Sequence, residues 1–384
     1  MVSKKVTRTL LVVLVLFLIM CGTGVGFFYG FSYVISQNDR FSSLKSQTKA
    51  AQAEGKSLID KDTPGAIELV LPRGVDTKQI AALLKEKKII DNTMIFTLLS
   101  KFNGFDSAYV AGTHYVTSSM NYDELMYVLS QKPQSVEVKI VEGLSYREVK
   151  NVLKTAGVNF DESVLDAMVT NPQLFLDYKF VTEIEIKDGR DWLLQGYLFP
   201  DTYEFDVNTD EETILRTFLN NTESKLTDEL YARAAKQGMT MDQVITLASI
   251  IQNECVTEEM IMVSGVFSKR LKRTAEGAYF PLGSCATINY LRKEAGLSSV
   301  LYVKDTNEFT SPYNTYQNLG LPPGPICSPG EDAIRAALWP DNNPFWFFTA
   351  MGNGFNWFSK SEAEHQNKSA YFEENPAPDG YRQP

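Results

Sequence analysis

A long uncharged apolar segment near the start of the chain constrains its architecture most. Residues Leu10–Ser36 read LLVVLVLFLIMCGTGVGFFYGFSYVIS and contain no charged side chain. A helix needs about 20 apolar residues to cross the hydrocarbon core of a bilayer. A cleaved signal peptide has a shorter apolar region of roughly 7–15 residues, and Met20 before Cys21 fits a lipoprotein signal poorly. The segment therefore predicts one retained transmembrane helix over residues 10–36.

Basic residues indicate the direction of this predicted helix. Lys4, Lys5 and Arg8 precede it, although three further basic residues follow within residues 37–49. By the positive-inside tendency, residues 1–9 stay in the cytoplasm and the chain after the helix lies outside the membrane. Residues 37–64 are polar and lack periodicity, which is typical of a juxtamembrane linker.

The composition argues against several classes of function. A net charge of −10 at pH 7 argues against a nucleic-acid partner, because phosphate binding needs clustered Lys and Arg. The chain has two histidines, so a Ser-His-Asp triad or a His-rich zinc site would need His114 or His365, and we expect a structural role for each. No glycine-rich phosphate motif is present. The sequence therefore indicates no metal and no organic cofactor.

A weak internal repeat indicates how the outer part is organised. Glu68–Leu84 and Glu137–Leu153 each read as a strand, a glycine turn, a Thr or Ser helix start and an apolar helix face. Between them the pattern predicts a helix over Asn92–Phe102, an extended segment over Ala108–Thr117 and a helix over Asn121–Leu129. The fold class is therefore α+β. The predicted parts after the linker are a small module at 65–133, a larger mixed domain at 134–370 and a polar tail at 371–384.

An acidic residue ends an otherwise apolar helix. Thr240 and Gln243 form a capping-box pattern, which predicts a helix that begins near Met241. At helical periodicity Glu254 falls within the apolar arc of this helix. Burial and the negative helix end both raise the pKa of a carboxyl group there, and a carboxyl that stays protonated can act as a general acid on a glycosidic oxygen. The alternative is that Glu254 lies at a frayed helix end and turns toward water.

Seven segments resemble motifs of the YceG-like family of endolytic peptidoglycan transglycosylases, and they occur in the family's order. Within residues 66–368 they are LQGYLFPDTYEF, ITLASIIQNE, GVFSKRL, PLGSCATINYL, SPYNTY, GLPPGPICSPG and FSKSEAEH. The resemblance implies a bacterial, single-pass membrane enzyme with a LysM-like subdomain at 65–133 and a YceG-type catalytic domain at 134–370. It also implies cleavage between N-acetylmuramic acid and N-acetylglucosamine within nascent glycan strands, leaving 1,6-anhydro ends, beside proteins of cell-wall synthesis and elongation.

The resemblance also implies roles for individual residues. Glu254 occupies the catalytic position of the family's helix motif, where it would protonate the leaving oxygen and then accept the proton of the attacking 6-hydroxyl. Rings can stack on sugar faces and amides can pair with sugar hydroxyls. The implied substrate-binding residues are Tyr313, Asn314, Thr315, Tyr316, Gln195, Asp201 and Ser284. A structural turn is the alternative for residues 312–316, and a turn followed by a helix cap is the alternative for residues 199–202.

Three cysteines lie in the predicted outer part of the chain, where a disulfide can persist. The resemblance favours a disulfide between Cys285 and Cys327, because other members gain or lose these two together. Cys255 is expected to pack as a small apolar residue.

The chain departs from the family's common pattern at Gln195, Lys269 and Asn356. A glycan-binding scaffold with weakened catalysis is therefore the alternative function. A hydrolase of the usual kind is a third, and it would need a second acid such as Asp201 or Glu258.

Overall fold

The chain forms two compact units, one ending at Ser135 and the other running from Val136 to Pro384. This computed structural model describes residues 39–51, 58–72, 74–302 and 305–383. Residues 39–51 are helical. None of the helices in these described ranges combines the length and the apolar character that crossing a membrane requires. The transmembrane helix predicted over residues 10–36 lies outside the described residues.

The first unit contains three helices and a two-stranded antiparallel sheet. Its elements are β1 (Ala66–Leu71), α1 (Thr77–Glu86), α2 (Thr93–Phe102), β2 (Gly112–Thr117) and α3 (Tyr122–Leu129). In the sheet, Ala66 lies opposite Thr117 and Leu71 opposite Gly112. Residues Leu69, Phe96 and Leu125 are fully buried in its core. An α+β organisation of this region, predicted from the sequence, is confirmed.

Side-chain caps set the helix starts of the first unit. Asn92 and Asn121 are the N-cap residues of α2 and α3, so both predicted helices are confirmed and begin one residue later than the predicted spans. A cap residue accepts hydrogen bonds from otherwise unpaired N–H groups, which is why asparagine ends the preceding loop here. His114 is buried in β2, and its Nε2 lies 2.8 Å from the carbonyl oxygen of Val110.

The second unit is mainly helical, with two small sheets. Strand β3 (Ser135–Lys139) pairs with β4 (Thr202–Asp206), and β5 (Phe347–Ala350) pairs antiparallel with β6 (Asn356–Ser359). Short 3₁₀ turns cover Gln173–Phe175 and Thr257–Glu259. The helices are α4 (Tyr146–Thr155), α5 (Glu162–Thr170), α6 (Lys179–Thr182), α7 (Glu211–Lys225), α8 (Asp228–Lys236), α9 (Met241–Glu254), α10 (Met260–Ala275), α11 (Cys285–Glu294), α12 (Glu331–Leu338) and α13 (Glu362–Glu374).

Helix α9 runs through the core of the second unit and packs against α12. The side chains of Thr240 and Gln243 each accept the other's backbone N–H, so the predicted capping box is confirmed and the helix begins at Met241. Every residue from Val244 to Ile251 is buried. Because the helix is enclosed on nearly all sides, it is a core helix, and its last turn is where it reaches solvent.

A buried ion pair fixes the first turn of α9. Arg190 donates from Nη1 to Asp242 Oδ2 at 2.6 Å and from Nη2 to Asp242 Oδ1 at 2.9 Å. The Tyr197 hydroxyl and the Glu185 N–H also donate to this carboxylate, at 2.7 and 3.2 Å. The two charged side chains are 0% and 2% exposed. Removal of either charge would leave the other buried without a counter-charge, so the pair holds the helix start in place.

Candidate active site

Glu254 is the last residue of α9, and Cys255 follows it in an extended conformation. The Glu254 side chain is half-buried and lines a cavity of about 700 Å³. Ligand sites in proteins are typically ~300–1,000 Å³ and concave. The carboxyl therefore lies in the wall of a cavity, and the alternative of a frayed helix end turned toward bulk water is wrong.

Two donors at the start of α11 hold the Glu254 carboxyl. The hydroxyl of Ser284, the N-cap residue of α11, donates to Glu254 Oε1, and the N–H of Ala286 donates to the same oxygen at 3.0 Å. Burial raises the pKa of Glu254 above its ordinary value, while these donors and the charge of Arg270 oppose the rise. The net direction is upward, as the sequence predicted, so the carboxyl keeps its proton to a higher pH than an ordinary glutamic acid does.

Arg270 adds a buried positive charge to the same cavity, and sequence reasoning missed it. Its guanidinium donates to the carbonyl oxygens of Trp346 and Leu282, with an Nε–O distance of 3.0 Å to Trp346. It also lies over the rings of Phe280 and Phe347, at 5.6 and 5.2 Å from their centroids. Burial lowers the pKa of Arg270 to about 10, so the side chain stays charged at neutral pH. Its place in the GVFSKRL motif was the available signal.

Only the second tyrosine of the Tyr-Asn-Thr-Tyr segment lines the described cavity wall. The Asn314 side chain is fully buried and donates to the carbonyl oxygens of Thr306 and Phe309, both at 2.8 Å. Its Oδ1 accepts the N–H of Tyr316 at 3.0 Å. For Asn314 these contacts are those of a structural turn, and its side chain does not line the cavity.

Thr315 and Tyr313 lie behind the cavity wall. Thr315 Oγ1 accepts the N–H of Ser284 at 2.9 Å and lies 2.9 Å from Thr287 Oγ1. The Tyr313 ring packs against Tyr290, with 5.0 Å between centroids. Thr315 thus positions Ser284, which in turn donates to the carboxyl of α9. Neither the Thr315 nor the Tyr313 side chain lines the cavity, so their predicted contacts with substrate stay predictions.

Gln195 is also a support, and it does not line the Glu254 cavity. Its Oε1 accepts the N–H of Tyr146 at 3.0 Å, and its Nε2 donates to the carbonyl oxygen of Pro325 at 2.7 Å and to the Tyr290 hydroxyl at 3.2 Å. The neighbouring Gly196 has φ of +92°, and a Cβ there would lie 2.5 Å from Pro325 Cγ. The backbone at this point therefore requires glycine.

Asp201 is exposed and lies away from the cavity residues. It accepts hydrogen bonds from the N–H of Thr202 at 2.8 Å and from Asn221 at 3.0 Å, which lower the pKa of its carboxyl. Strand β4 begins at Thr202, so the alternative of a turn followed by a helix cap is wrong, because the chain continues into a sheet.

The predicted disulfide between Cys285 and Cys327 is not formed. Cys285 Sγ lies 3.2 Å from the Tyr316 hydroxyl, whereas the Cys327 thiol is buried and donates to the carbonyl oxygen of Ser249 at 3.2 Å. Each sulfur thus has its own neighbour in the packed domain. Cys255 packs against the core as expected, and burial raises the pKa of its thiol.

Like Gln195, the other two positions that depart from the family pattern, Asn356 and Lys269, have defined contacts. Asn356 lines the cavity, and its Nδ2 donates to Glu259 Oε2 at 2.9 Å and to the backbone oxygen of Glu254 at 3.4 Å. Lys269 does not line the cavity, and its Nζ donates to the carbonyl oxygen of Asn343 at 2.8 Å. The amide at 356 therefore holds the backbone of the helix end that carries the acid.

Helix α13 forms another wall of the cavity through Glu362, His365, Gln366 and Ser369. The His365 ring stacks on Phe347 with 5.3 Å between centroids, and burial lowers the pKa of its imidazole. His365 therefore packs in the structure, as expected, and also lines the cavity, which was not expected. Its place in the FSKSEAEH motif was the signal that pointed to it.

Of the second acids considered for hydrolysis, neither Asp201 nor Glu258 lines the cavity. Glu258 is exposed and lies 3.5 Å from Arg382. Glu362 of α13 is the other carboxyl of the described residues on the cavity wall.

The family profile described as YceG-like matches residues 69–370, and the chain belongs to the YceG-like family. It is 30% identical over 323 residues to an endolytic murein transglycosylase of Bacillus subtilis (strain 168), covering 81% of this chain and 87% of that protein. An endolytic murein transglycosylase of Streptococcus pneumoniae serotype 2 (strain D39 / NCTC 7466) is 27% identical over 334 residues, which is 81% of this chain and 59% of that longer protein. The crystal structure of a yceG-like protein from Listeria monocytogenes matches with a TM-score of 0.54 at 26% identity, covering 79% of this chain and 98% of the other.

Proposed function

We propose that this protein is an endolytic lytic transglycosylase that cuts peptidoglycan glycan strands between N-acetylmuramic acid and N-acetylglucosamine. Membership of the YceG-like family and the names of two relatives support the enzyme class. The observation that carries the proposal is the Glu254 carboxyl. It is half-buried in a large cavity, its pKa is raised by burial, and two fixed donors meet one of its oxygens.

In the proposed reaction one carboxyl group serves two roles in turn. Glu254 donates its proton to the glycosidic oxygen as the bond from that oxygen to the anomeric carbon breaks. The resulting carboxylate then accepts the proton of the muramic acid 6-hydroxyl, whose oxygen bonds to the anomeric carbon and closes the 1,6-anhydro ring. No water is consumed. Ser284, the Ala286 N–H and the charge of Arg270 favour the ionised form, so the site supports both protonation states of the acid.

The absence of both suggested second acids from the cavity wall favours cyclisation over hydrolysis by the usual two-carboxyl route. In that route, a second carboxyl activates a water or forms a covalent intermediate. Among the described wall residues, Glu362 is the carboxyl that would have to take this part. The test below therefore follows the origin of the new oxygen in the product.

The remaining parts of the proposal concern the membrane and the glycan. We propose that residues 10–36 anchor the chain in the bacterial cell membrane with residues 1–9 in the cytoplasm, and that residues 65–133 are a LysM-like subdomain. A cavity of about 510 Å³ in the first unit, lined among others by Asp76, Lys101 and Tyr109, supports a glycan-binding role for it. Action beside cell-wall synthesis and elongation proteins is the corresponding expectation for partners.

The test compares the full-length protein with Glu254→Gln on purified glycan strands in ¹⁸O-water, with products read by mass spectrometry. We expect 1,6-anhydro ends without ¹⁸O, formed about 10²–10⁴-fold more slowly by the variant, which is the usual contribution of a general acid. New reducing ends that carry ¹⁸O would indicate a hydrolase. Binding without new ends from either protein would favour the glycan-binding scaffold.

A further inference from the structure

A second, smaller cavity adjoins the cavity around Glu254. It has a volume of about 210 Å³ and is called the small chamber below. Three residues line both cavities, namely Asn253, Ala286 and Asn289. Ala286 is also the residue whose N–H donates to the Glu254 carboxyl. The two cavities therefore meet beside the acid, on either side of the first turn of α11.

We propose that the small chamber is a second saccharide subsite, which binds the sugar unit across the scissile bond from the unit in the large cavity. The inference rests on the proposed function and adds the course of the glycan to it. An enzyme that cuts within a strand has to hold sugar units on both sides of the bond it breaks. In this proposal the strand runs from the large cavity over Asn253 and Ala286 into the small chamber. One sugar unit then lies on each side of the bond, and Glu254 lies beside that bond.

The lining of the small chamber suits a sugar that carries polar substituents. Ser145, Ser299 and the ion pair of Glu148 with Lys293 line it, with Nζ–Oε1 at 2.9 Å. Both charged side chains are partly exposed, so the ammonium group is within reach of a bound ligand. Hydroxyl, ammonium and carboxylate groups can pair with the hydroxyl and acetamido groups of a peptidoglycan sugar. The Tyr290 ring adds an apolar surface to the same lining.

Asn253 lies at the junction of the two cavities and precedes the acid in the chain. Its side chain is exposed, and within the described part of the chain its amide has no hydrogen-bond partner. Gly143 faces it with φ of +83°, and a Cβ at that position would lie 2.7 Å from Asn253 Oδ1. Because Gly143 has no Cβ, the Asn253 side-chain amide fits beside it without a steric clash. Asn253 is thus placed to donate to and accept from a sugar as the strand passes Glu254.

The small chamber has a rigid frame that explains the buried position of Gln195. Gln195 bonds the Tyr290 hydroxyl, the N–H of Tyr146 and the carbonyl oxygen of Pro325. Tyr290 lines the chamber, and the other two partners adjoin the lining residues Ser145 and Ile326 in the chain. Gln195 therefore joins three sides of the chamber from behind, as a positioning residue that does not touch the glycan.

The first experiment blocks the small chamber in the full-length Glu254→Gln protein and measures glycan binding. Ser299 is exposed on the chamber lining, and Ser299→Trp would fill it. Ser298 is its exposed neighbour and lines neither cavity, so Ser298→Trp is the matched control. Affinities for glycan oligomers of defined length are measured by calorimetry in full-length Glu254→Gln, because its slow cleavage leaves the oligomers intact during the titration. We expect Ser299→Trp to weaken binding of an octasaccharide about tenfold, and Ser298→Trp to leave it unchanged.

A second variant tests the junction. Asn253→Ala in the active full-length protein should raise KM for glycan strands severalfold with kcat retained within about twofold, because the amide helps to hold the strand and does not transfer the proton. Equal affinities of Ser299→Trp and Ser298→Trp, with unchanged KM for Asn253→Ala, would overturn the subsite. Failure of the parent to form anhydro ends would instead overturn the proposed reaction, while the calorimetry would still decide the subsite.

Discussion

The two ends of helix α9 each carry a carboxyl group, and the two groups have opposite surroundings. Asp242 at the start is buried and receives four hydrogen bonds, two of them from Arg190. Glu254 at the end is half-buried, receives donors from Ser284 and Ala286 on one oxygen, and has no salt-bridge partner among the described residues. Asp242 is paired directly with a cation, whereas Glu254 is desolvated and has only the charge of Arg270 nearby, without an ion pair.

The difference assigns separate roles to the two ends of α9: the Asp242 end stabilises the fold, and the Glu254 end carries the carboxyl proposed to transfer a proton. A buried carboxylate that is paired with a cation and fully hydrogen-bonded fixes the position of the segment that carries it. A carboxyl that is desolvated and only partly compensated has a raised pKa and can give a proton to a ligand and take one back. The fixed end thus holds the helix so that the reactive end stays at the cavity wall.

The largest expected effect comes from removing the charge at the fixed end. Asp242→Asn leaves the Arg190 guanidinium buried without a counter-charge, so we expect a loss of about 3–5 kcal/mol in the free energy of unfolding. Glu254→Gln should change that free energy far less, although the proposed function predicts a large loss of activity. Denaturant unfolding monitored by circular dichroism measures both. Arg273→Met, which breaks an exposed pair, is the control and should cost less than about 1 kcal/mol. Equal losses of unfolding free energy in Asp242→Asn and Glu254→Gln would contradict the different roles given to the two ends of α9.

The next effect concerns the donors at the reactive end. Ser284 lowers the pKa of Glu254, so Ser284→Ala should raise it further. In the proposed reaction the protonated acid cleaves the bond, so the rate should fall as pH rises through this pKa. We expect the alkaline limb of kcat to move upward by about one pH unit, since a hydrogen bond to a charged group contributes ~1.5–3 kcal/mol and one unit corresponds to ~1.4 kcal/mol.

Thr287→Val is the matched control for this shift. It removes a buried hydroxyl one turn further along α11, which bonds Thr315 and the Ser284 carbonyl and does not touch the acid. Its pH profile should keep the parent's alkaline limb. If the alkaline limb of kcat does not shift in Ser284→Ala, or shifts equally in Ser284→Ala and Thr287→Val, Glu254 is not the group whose titration sets that limb.

The smallest effect is on how stability depends on pH. Glu254 has a raised pKa in the folded protein, so its contribution to stability is fully present below the ordinary value of 4.5 and is lost as pH rises through the raised pKa. Glu254→Gln cannot ionise and escapes this loss. We therefore expect the Tm of the parent to fall relative to that of the variant across this window, measured by calorimetry at a series of pH values. A constant difference would mean that the pKa is not raised.

Much of the fixed scaffold could be predicted from sequence because the signals are local. The Thr240 and Gln243 pair lies three residues apart and specified the start of α9 correctly. The same holds for the N-caps Asn92 and Asn121. The apolar arc of α9 predicted that Glu254 would be at least partly buried. The family motifs, which occur in the family's order, identified Ser284 as a candidate site residue. Periodicity and capping require no knowledge of distant contacts.

The remaining features depend on contacts between distant segments. Arg190 meets Asp242 across 52 positions, and Gln195 meets Pro325 across 130. A motif residue such as Asn314 reads equally well as a sugar ligand or as a turn until the carbonyl oxygens around it are known. The Cys285–Cys327 disulfide was predicted because family members gain or lose the two cysteines together. That pattern does not show that the two sulfur atoms lie within bonding distance.

The walls of the large cavity differ in how firmly they are held. The wall around Ser284 is tied by the buried hydroxyls of Thr287 and Thr315. Helix α13, by contrast, has one fully buried residue of its thirteen, Phe372. Sparse anchoring of this kind gives low local stability against opening. We therefore expect α13 to be the cavity wall that opens at the lowest cost in free energy, while the wall around Ser284 keeps its hydrogen bonds.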